Sequence, residues 1–308
     1  MNQIEQDSDY LKSLKSIETE NYIDRVFYRP IGFKIASALQ HTPITPNMVT
    51  IISIVIGMAG AALFYFVEPI WLTLLGILGL VTANILDCVD GQLSRLTGIK
   101  SKWGRILDGF AGDLWFLTLY IAISMRLYET TGNSIWFVVA GISLISHLNQ
   151  AALTDLYKTF HLRFISKEKG KEFETYSMVK ARVDNMEPGF SKFAMRVYSM
   201  YTKMQSLYTP NLQKFVDVAI DHNIEHDEEI KRNFRLGSRI VMKLVDLMTF
   251  NGRTIPLFIV ALTGHIWLYF LYEIVFLWIV FFVARDQHET LCKAFSCEVK
   301  EKYEKTFR

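Results

Sequence analysis

The chain has 308 residues, 51% of them hydrophobic and 14% aromatic, and a formal net charge of +2. That balance excludes a strongly basic nucleic-acid surface, and the length allows one large domain or two small ones. Cys88, Cys292 and Cys297 are odd in number and read as reduced thiols, which excludes a disulfide framework.

Residues 1–45 are polar and charged and read as a cytoplasmic N-terminal segment without a secretory signal. Within them, Tyr22 to Leu39 mix aromatic and aliphatic residues with Arg and Lys. This mixture predicts an amphipathic helix on the membrane surface, bent or restarted at Pro30. Thr45-Pro46-Asn47 has the form of a helix start, a cap residue followed by an early proline.

Apolar runs near the ~20 residues needed to cross a bilayer follow. They run from about Met48 to Val67, Ile70 to Leu86 after a turn at Glu68-Pro69, Ile106 to Met125, and Ile135 to Leu156. A fifth and a sixth are expected between Thr254 and Ala284, broken near Tyr269 to Glu273. Lys and Arg concentrate before the first span, between the second and third, in the stretch after Lys158 and in the tail. Cationic loops stay cytoplasmic, so both termini are expected inside.

The expected fold is all-α: an integral membrane six-transmembrane-helix bundle with a surface N-terminal helix and a cytoplasmic helical insert. Its parts are residues 1–45, spans one to four in 46–158, the insert in 159–250, spans five and six in 251–290, and a tail in 291–308. In the insert, helical periodicity covers Phe190 to Tyr208 and Phe215 to Val241, with breaks at Pro188-Gly189 and Thr209-Pro210-Asn211.

Asn84 to Asp113 reads NILDCVDGQLSRLTGIKSKWGRILDGFAGD. Asp87, Asp90, Asp108 and Asp113 sit at the ends of two apolar helices, and Asp87 and Asp90, three apart, share a helix face. Carboxylates at membrane depth are costly unless paired, hydrated or bound to a cation. Clustered, they repel one another, and a hard divalent cation such as Mg²⁺ or Mn²⁺ removes that repulsion and is commonly shared with substrate phosphates. Gly91 leaves room for a ligand against the backbone, Ser94 is small, Arg95 has the geometry to hold a phosphate, and Gly104 allows close helix approach. This set suits a diphosphate substrate with a lipid tail.

These residues resemble the CDP-alcohol phosphotransferase family, whose pattern is D-x2-D-G-x2-A-R-x8-G-x3-D-x3-D. Asp87, Asp90, Gly91, Arg95, Gly104 and Asp108 stand at the matching spacing, and TPITPNMVT, Thr42 to Thr50, is similar to the family's lead-in to its first span. Ser94 replaces the usual Ala. The last Asp is displaced: position 112 is Gly112, and Asp113 comes one residue later. Residues five apart on a regular helix differ by about 140° in direction. A π-type turn would bring Asp113 back to the site; otherwise another base serves, or Asp113 points elsewhere.

The resemblance implies that Asp87, Asp90 and Asp108 bind the metal and that Gly91, Ser94, Arg95 and Gly104 border the donor. It implies that Asp113 deprotonates an acceptor alcohol, with attack at phosphorus and loss of CMP. It also implies a CDP-alcohol lipid donor among membrane lipids, and a homodimer. The RPIGF…TPITPN segment is most similar to members that use inositol phosphate.

Further signals are weaker. His147, Gln150, Thr154 and Lys158 lie on one helix face, beside Asp155, as an acceptor-cavity wall or as interhelical hydrogen-bonding groups. Lys158, Arg163, Arg253 and Arg285 are candidates for an anionic acceptor, though positive-inside topology alone places such residues there. His222, Glu225 and His226 read as a solvated acidic face. A Mg²⁺-dependent polyprenyl transferase would need a second Asp-rich motif, and only isolated Asp246 and Asp286 follow. A transporter lined with acidic residues would spread its carboxylates across several spans rather than at one face.

Overall fold

A computed structural model describes residues 9–14, 16, 18–66, 68–99, 101–165, 173–221 and 227–304. The described residues are helical with no strand. A π-helical turn, Asp24–Tyr28, leads without a break into α1, Arg29–Leu39, with Pro30 near the junction. α2 is Pro46–Ala62, and Thr45 caps it by accepting the Met48 N–H at 3.4 Å. α3, Ile70–Thr97, stops at Gly98, whose φ of 71° suits glycine. α4, Lys102–Thr131, starts at Ser101, which accepts the Gly104 N–H at 2.8 Å, and stops at Gly132.

α5 is Ile135–Ile165, α6 Tyr176–Asp184, α7 Phe190–Tyr208, α8 Pro210–Asp221 and α9 Glu228–Asp246. α10 is Phe250–Leu262 and α11 Leu268–Leu271. A π-helical turn, Tyr272–Phe276, then joins α11 to α12, Leu277–Glu304. Among the described residues, six segments are long and apolar enough to cross a membrane: Pro46–Tyr65, Ile70–Thr97, Leu107–Thr131, Ile135–Ile165, Glu228–Leu262 and Leu268–Tyr303.

Two sequence expectations are corrected, and one of the alternatives left open for Asp113 is removed. The break between the last two spans falls at residues 263–267, where Gly264 has a φ of 78°, and not at Tyr269 to Glu273, which continue as helix and π turn. The periodicity over Phe215 to Val241 is not one helix: Asp227 is extended, and its carboxylate accepts the N–H groups of Glu229 and Ile230 to start α9. α4 is regular α-helix throughout, without the π turn that would realign Asp113.

The chain divides into two compact units. The first is Met1–His147 with Phe250–Val275, and the second is Leu148–Thr249 with Phe276–Arg308. In the first unit α2 and α3 meet at glycines: a Cβ at Gly60 would come 2.9 Å from the Gly79 Cα. Side chains cannot enter such a contact, and small residues are what allow helices to approach closely within lipid. Around it, Phe64, Leu80, Trp115, Leu119, Ile123 and Leu257 form a buried core. The second unit is centred on aromatic rings, with Phe164 and Phe234 at 4.2 Å and Phe160 and Phe173 at 5.0 Å between centroids.

α3 has 28 residues, about 42 Å of helix against a hydrocarbon core of ~30 Å. It is therefore long enough to carry Asp87, Asp90 and Arg95 to the edge of the lipid.

Candidate active site

The end of α3 and the start of α4 bring three carboxylates together. Asp87, Asp90 and Asp108 each offer an oxygen, and these atoms all lie within 4.8 Å of one another. Asp90 is buried, Asp87 half-buried and Asp108 exposed, so the group opens to solvent on one side. The hydroxyl of Thr50, one turn into α2, lies 2.6 Å from Asp90 Oδ2 and orients that carboxylate. All-oxygen donors at this separation fit a hard divalent cation that keeps waters or phosphate oxygens in its remaining positions.

Arg95, one turn beyond Gly91, faces back toward it: a Cβ at Gly91 would stand 3.2 Å from an Arg95 terminal nitrogen. Arg95 Nε donates to the Ser13 carbonyl, while a terminal nitrogen is buried with no hydrogen-bond partner among the described residues. An unsatisfied buried guanidinium nitrogen is costly, and an anion beside Gly91 would satisfy it. Gln92 ties the same corner together, donating to Ser13 Oγ at 3.1 Å and to the Arg29 carbonyl at 3.2 Å. Arg29 in turn pairs with Glu20 at 3.0 Å. At the end of the preceding π turn, burial and then the nearby Asp24 push the Tyr28 hydroxyl up to about 12, so it remains a donor.

The Ser94 hydroxyl is turned aside and donates to the Ile99 carbonyl at 2.9 Å. Gly104 lies against Asn47, whose side-chain oxygen would overlap any Cβ there. Asn47 also donates to Ser101 Oγ at 2.8 Å, which fixes the start of α4 to the start of α2.

Asp113 stands outside the group of three. Its Oδ1 lies 3.2 Å from Nε2 of buried His147, at the end of the first unit. The His147 ring is held by Phe116, 4.6 Å between centroids, and by the Tyr120 hydroxyl 3.3 Å from Nδ1. Arg253 is fully buried and ion-paired with buried Glu273, which also accepts from Tyr269 at 2.8 Å. Its guanidinium also lies over the Phe116 ring, 5.8 Å from the centroid.

The remaining predicted residues belong to the second unit. Lys158 pairs with Asp246 at 3.0 Å, the Arg163 guanidinium lies over the Phe173 ring at 5.7 Å, and Arg285 donates to the Tyr208 carbonyl at 2.8 Å. Gln150 and Thr154 are buried, and Asp155 is exposed. His222, Glu225 and His226 lie outside the described residues.

Thr50, Ser13 and Tyr120 were not singled out from sequence. Thr50 ends the Thr42 to Thr50 lead-in to the first span, whereas nothing local marks Ser13. Glu273 carried a usable signal, since an acid in an apolar run needs a buried partner.

Residues 43–176 match the CDP-alcohol phosphatidyltransferase family. Over 131 residues the chain is 29% identical to a bifunctional IPC transferase and DIPP synthase of Archaeoglobus fulgidus, covering 42% of this chain and 25% of that protein. It is 40% identical over 92 residues to an archaetidylinositol phosphate synthase of Pyrococcus horikoshii, covering 30% of this chain and 47% of that protein. With an archaetidylinositol phosphate synthase of Aeropyrum pernix the identity is 35% over 103 residues, covering 32% of this chain and 51% of that protein. The chain thus spans between a quarter and about half of the length of these relatives. With six apolar helices among the described residues and the three-carboxylate centre within the matched region, the chain is an integral membrane protein whose residues 43–176 match the CDP-alcohol phosphatidyltransferase family.

Proposed function

We propose that the protein transfers a phosphoalcohol group from a CDP-alcohol lipid, such as CDP-diacylglycerol, to inositol phosphate and releases CMP. The observation that carries this reading is the convergence of Asp87, Asp90 and Asp108 near a buried nitrogen of Arg95 that has no partner among the described residues. Carboxylates alone would suit many cations; the guanidinium one turn past Gly91 adds a seat for an anion. Inositol phosphate is taken as the acceptor because two relatives are named archaetidylinositol phosphate synthase.

In this reading Asp87, Asp90 and Asp108 hold Mg²⁺ or Mn²⁺, with Thr50 fixing the rotamer of Asp90. A divalent cation there supplies charge neutralisation at the donor diphosphate. Gly91 leaves the backbone open to the donor, and Arg95 binds a phosphate oxygen. Gly104 lets the start of α4 close against α2, which sets the position of Asp108. Asp113, which the regular α4 leaves outside the group of three, takes the proton of an acceptor hydroxyl that enters on its side of the centre, and His147 fixes the direction of that carboxylate. Attack then occurs at the phosphorus bearing the lipid alcohol, with CMP as leaving group.

The cationic loops support a cytoplasmic active site with both termini inside, and the family resemblance supports a homodimer. The test is product identification by mass spectrometry after incubation with CDP-diacylglycerol, Mg²⁺ and a panel of glycerol phosphate, serine, inositol and inositol phosphate. A phosphatidylinositol phosphate product is expected. A product from another acceptor overturns the acceptor assignment, and no product from any CDP-alcohol lipid overturns the reaction.

A further inference from the structure

α7 is amphipathic in the opposite sense to a helix of a water-soluble subdomain. Its outward residues are apolar: Phe193 is 62% exposed, Val197 43%, Met200 72% and Leu207 71%. At 100° per residue these positions fall within a stripe about 80° wide. Its inward side is polar. Thr202 and Gln205 are buried, Gln205 donates to the Ala152 carbonyl at 2.9 Å, and the Tyr208 hydroxyl donates to Asn149 Oδ1 at 3.0 Å.

Charge follows the same geometry. The sequence of α7, FSKFAMRVYSMYTKMQSLY, holds Lys192, Arg196 and Lys203 and no acidic residue. These three cations project together, about 60–100° to one side of Phe193. Tyr198 and Tyr201, whose rings stack at 6.3 Å, add the aromatic character of a membrane–water boundary. α7 is not one of the segments apolar enough to span a bilayer.

The contacts with α5 fix a depth. Asn149 and Ala152 lie 14 and 17 residues beyond Ile135, about 21–26 Å along that helix. In a spanning helix that distance approaches the far boundary of a ~30 Å hydrocarbon core.

We propose that α7 lies in the membrane interface, with Phe193, Val197, Met200 and Leu207 in the acyl boundary and Lys192, Arg196 and Lys203 on anionic headgroups. The second unit then grips the bilayer from one side as well as through its spanning helices. Lipid is chosen as the occupant because the exposed stripe is apolar, its flank carries only positive charge, and the helix is fixed to a spanning helix near the lipid boundary. This inference does not depend on the reaction proposed above.

The test uses the full chain in a Cys297→Ser background, since Cys88 and Cys292 are buried. An environment-sensitive fluorophore is placed by Phe193→Cys or Met200→Cys, with Ser191→Cys, rotated about 160° from Phe193, as control. The protein is reconstituted in vesicles with 20 mol% phosphatidylglycerol (~ one anionic lipid in five) and doxyl-labelled lipid. Labels at 193 and 200 are expected to shift to the blue and lose most of their emission to doxyl lipid, while the label at 191 stays open to aqueous iodide. Replacing Lys192, Arg196 and Lys203 by Glu is expected to reverse the shift at 200. Iodide quenching at 193 and 200 overturns the proposal by placing the stripe in water. Shielding from both quenchers also overturns it, because a second copy or another protein then covers the stripe.

Discussion

Removing the imidazole beside Asp113 tests the assignment of the base. In His147→Leu the contact from Nε2 to Asp113 Oδ1, 3.2 Å long, is lost with the ring that Phe116 and Tyr120 hold, and leucine supplies no donor in its place. A hydrogen bond to a charged group is worth about 1.5–3 kcal/mol. At about 1.4 kcal/mol per tenfold, losing the orientation of the base lowers kcat by roughly 10- to 150-fold with KM little changed. Asp113→Asn itself is expected to cost about 10²- to 10⁴-fold. The assay is CMP release under saturating donor and acceptor, on variants shown by melting curves to remain folded. His147→Gln, whose amide nitrogen reaches about as far as Nε2, is expected to recover most of the loss. In an Asp113→Asn background His147→Leu is expected to add little, because both act on one group. A Leu variant within about twofold of the parent, or one that lowers the Asp113→Asn rate by its full factor, refutes the pairing as the source of the effect.

Three further outcomes concern the scaffold. Glu273→Gln strands the buried Arg253 charge and is expected to cost about 3–5 kcal/mol, read as a fall in melting temperature in detergent, with much of the loss recovered by the double change Arg253→Met, Glu273→Leu; an unchanged melting temperature would show the pair to be dispensable. Gly79→Leu drives a side chain into the Gly60 backbone, since a Cβ at 79 already stands 2.8 Å from the Gly60 Cα, so the variant is expected to melt well below the parent while Gly141→Leu, where a Cβ meets nothing within 4 Å, does not. Asp227→Ala removes the α9 cap and the contacts to Lys302 at 2.8 Å and Tyr303 at 3.1 Å, and is expected to cost about 1 kcal/mol near neutral pH. Burial raises the Asp227 pKa, but the bonds from Lys302, the Ile230 N–H and Tyr303 outweigh it and hold the carboxyl below its usual value. Its stabilisation is therefore full above the unfolded value near 3.9 and lost as pH falls through the lowered folded value, so parent and variant melting curves converge in acid.

Helix starts were legible because their chemistry is local. Thr45-Pro46 supplies a hydroxyl cap and a pre-set φ within two residues, and the structure starts α2 there. Asp87, Asp90 and Asp108 were legible because costly charges at the ends of apolar runs need a common reason. Less legible was the continuation of α3 past Leu86 to Thr97: the polar residues that end an apolar run need not end the helix once it leaves the lipid. The direction of Asp113 depends on whether α4 stays regular, and its sequence, with Gly109 and Gly112, permitted either outcome. Its pairing with His147, 34 residues away, and the closure of Ser13 on Arg95, 82 residues away, follow from helix packing that no local pattern encodes. Glu273 read as a break because its partner, Arg253, lies across a turn and was grouped with the loop cations.

The most direct measurement is CMP release from CDP-diacylglycerol by the reconstituted protein with inositol phosphate, in Mg²⁺ and in EDTA, beside Asp90→Asn. This substitution keeps the shape of the side chain and an acceptor for the Thr50 hydroxyl while removing one carboxylate from the centre. Release that requires the metal and falls by orders of magnitude in a folded Asp90→Asn variant is the expected result. Release that is indifferent to EDTA, or undiminished in Asp90→Asn, would contradict a metal-assisted transfer at Asp87, Asp90 and Asp108.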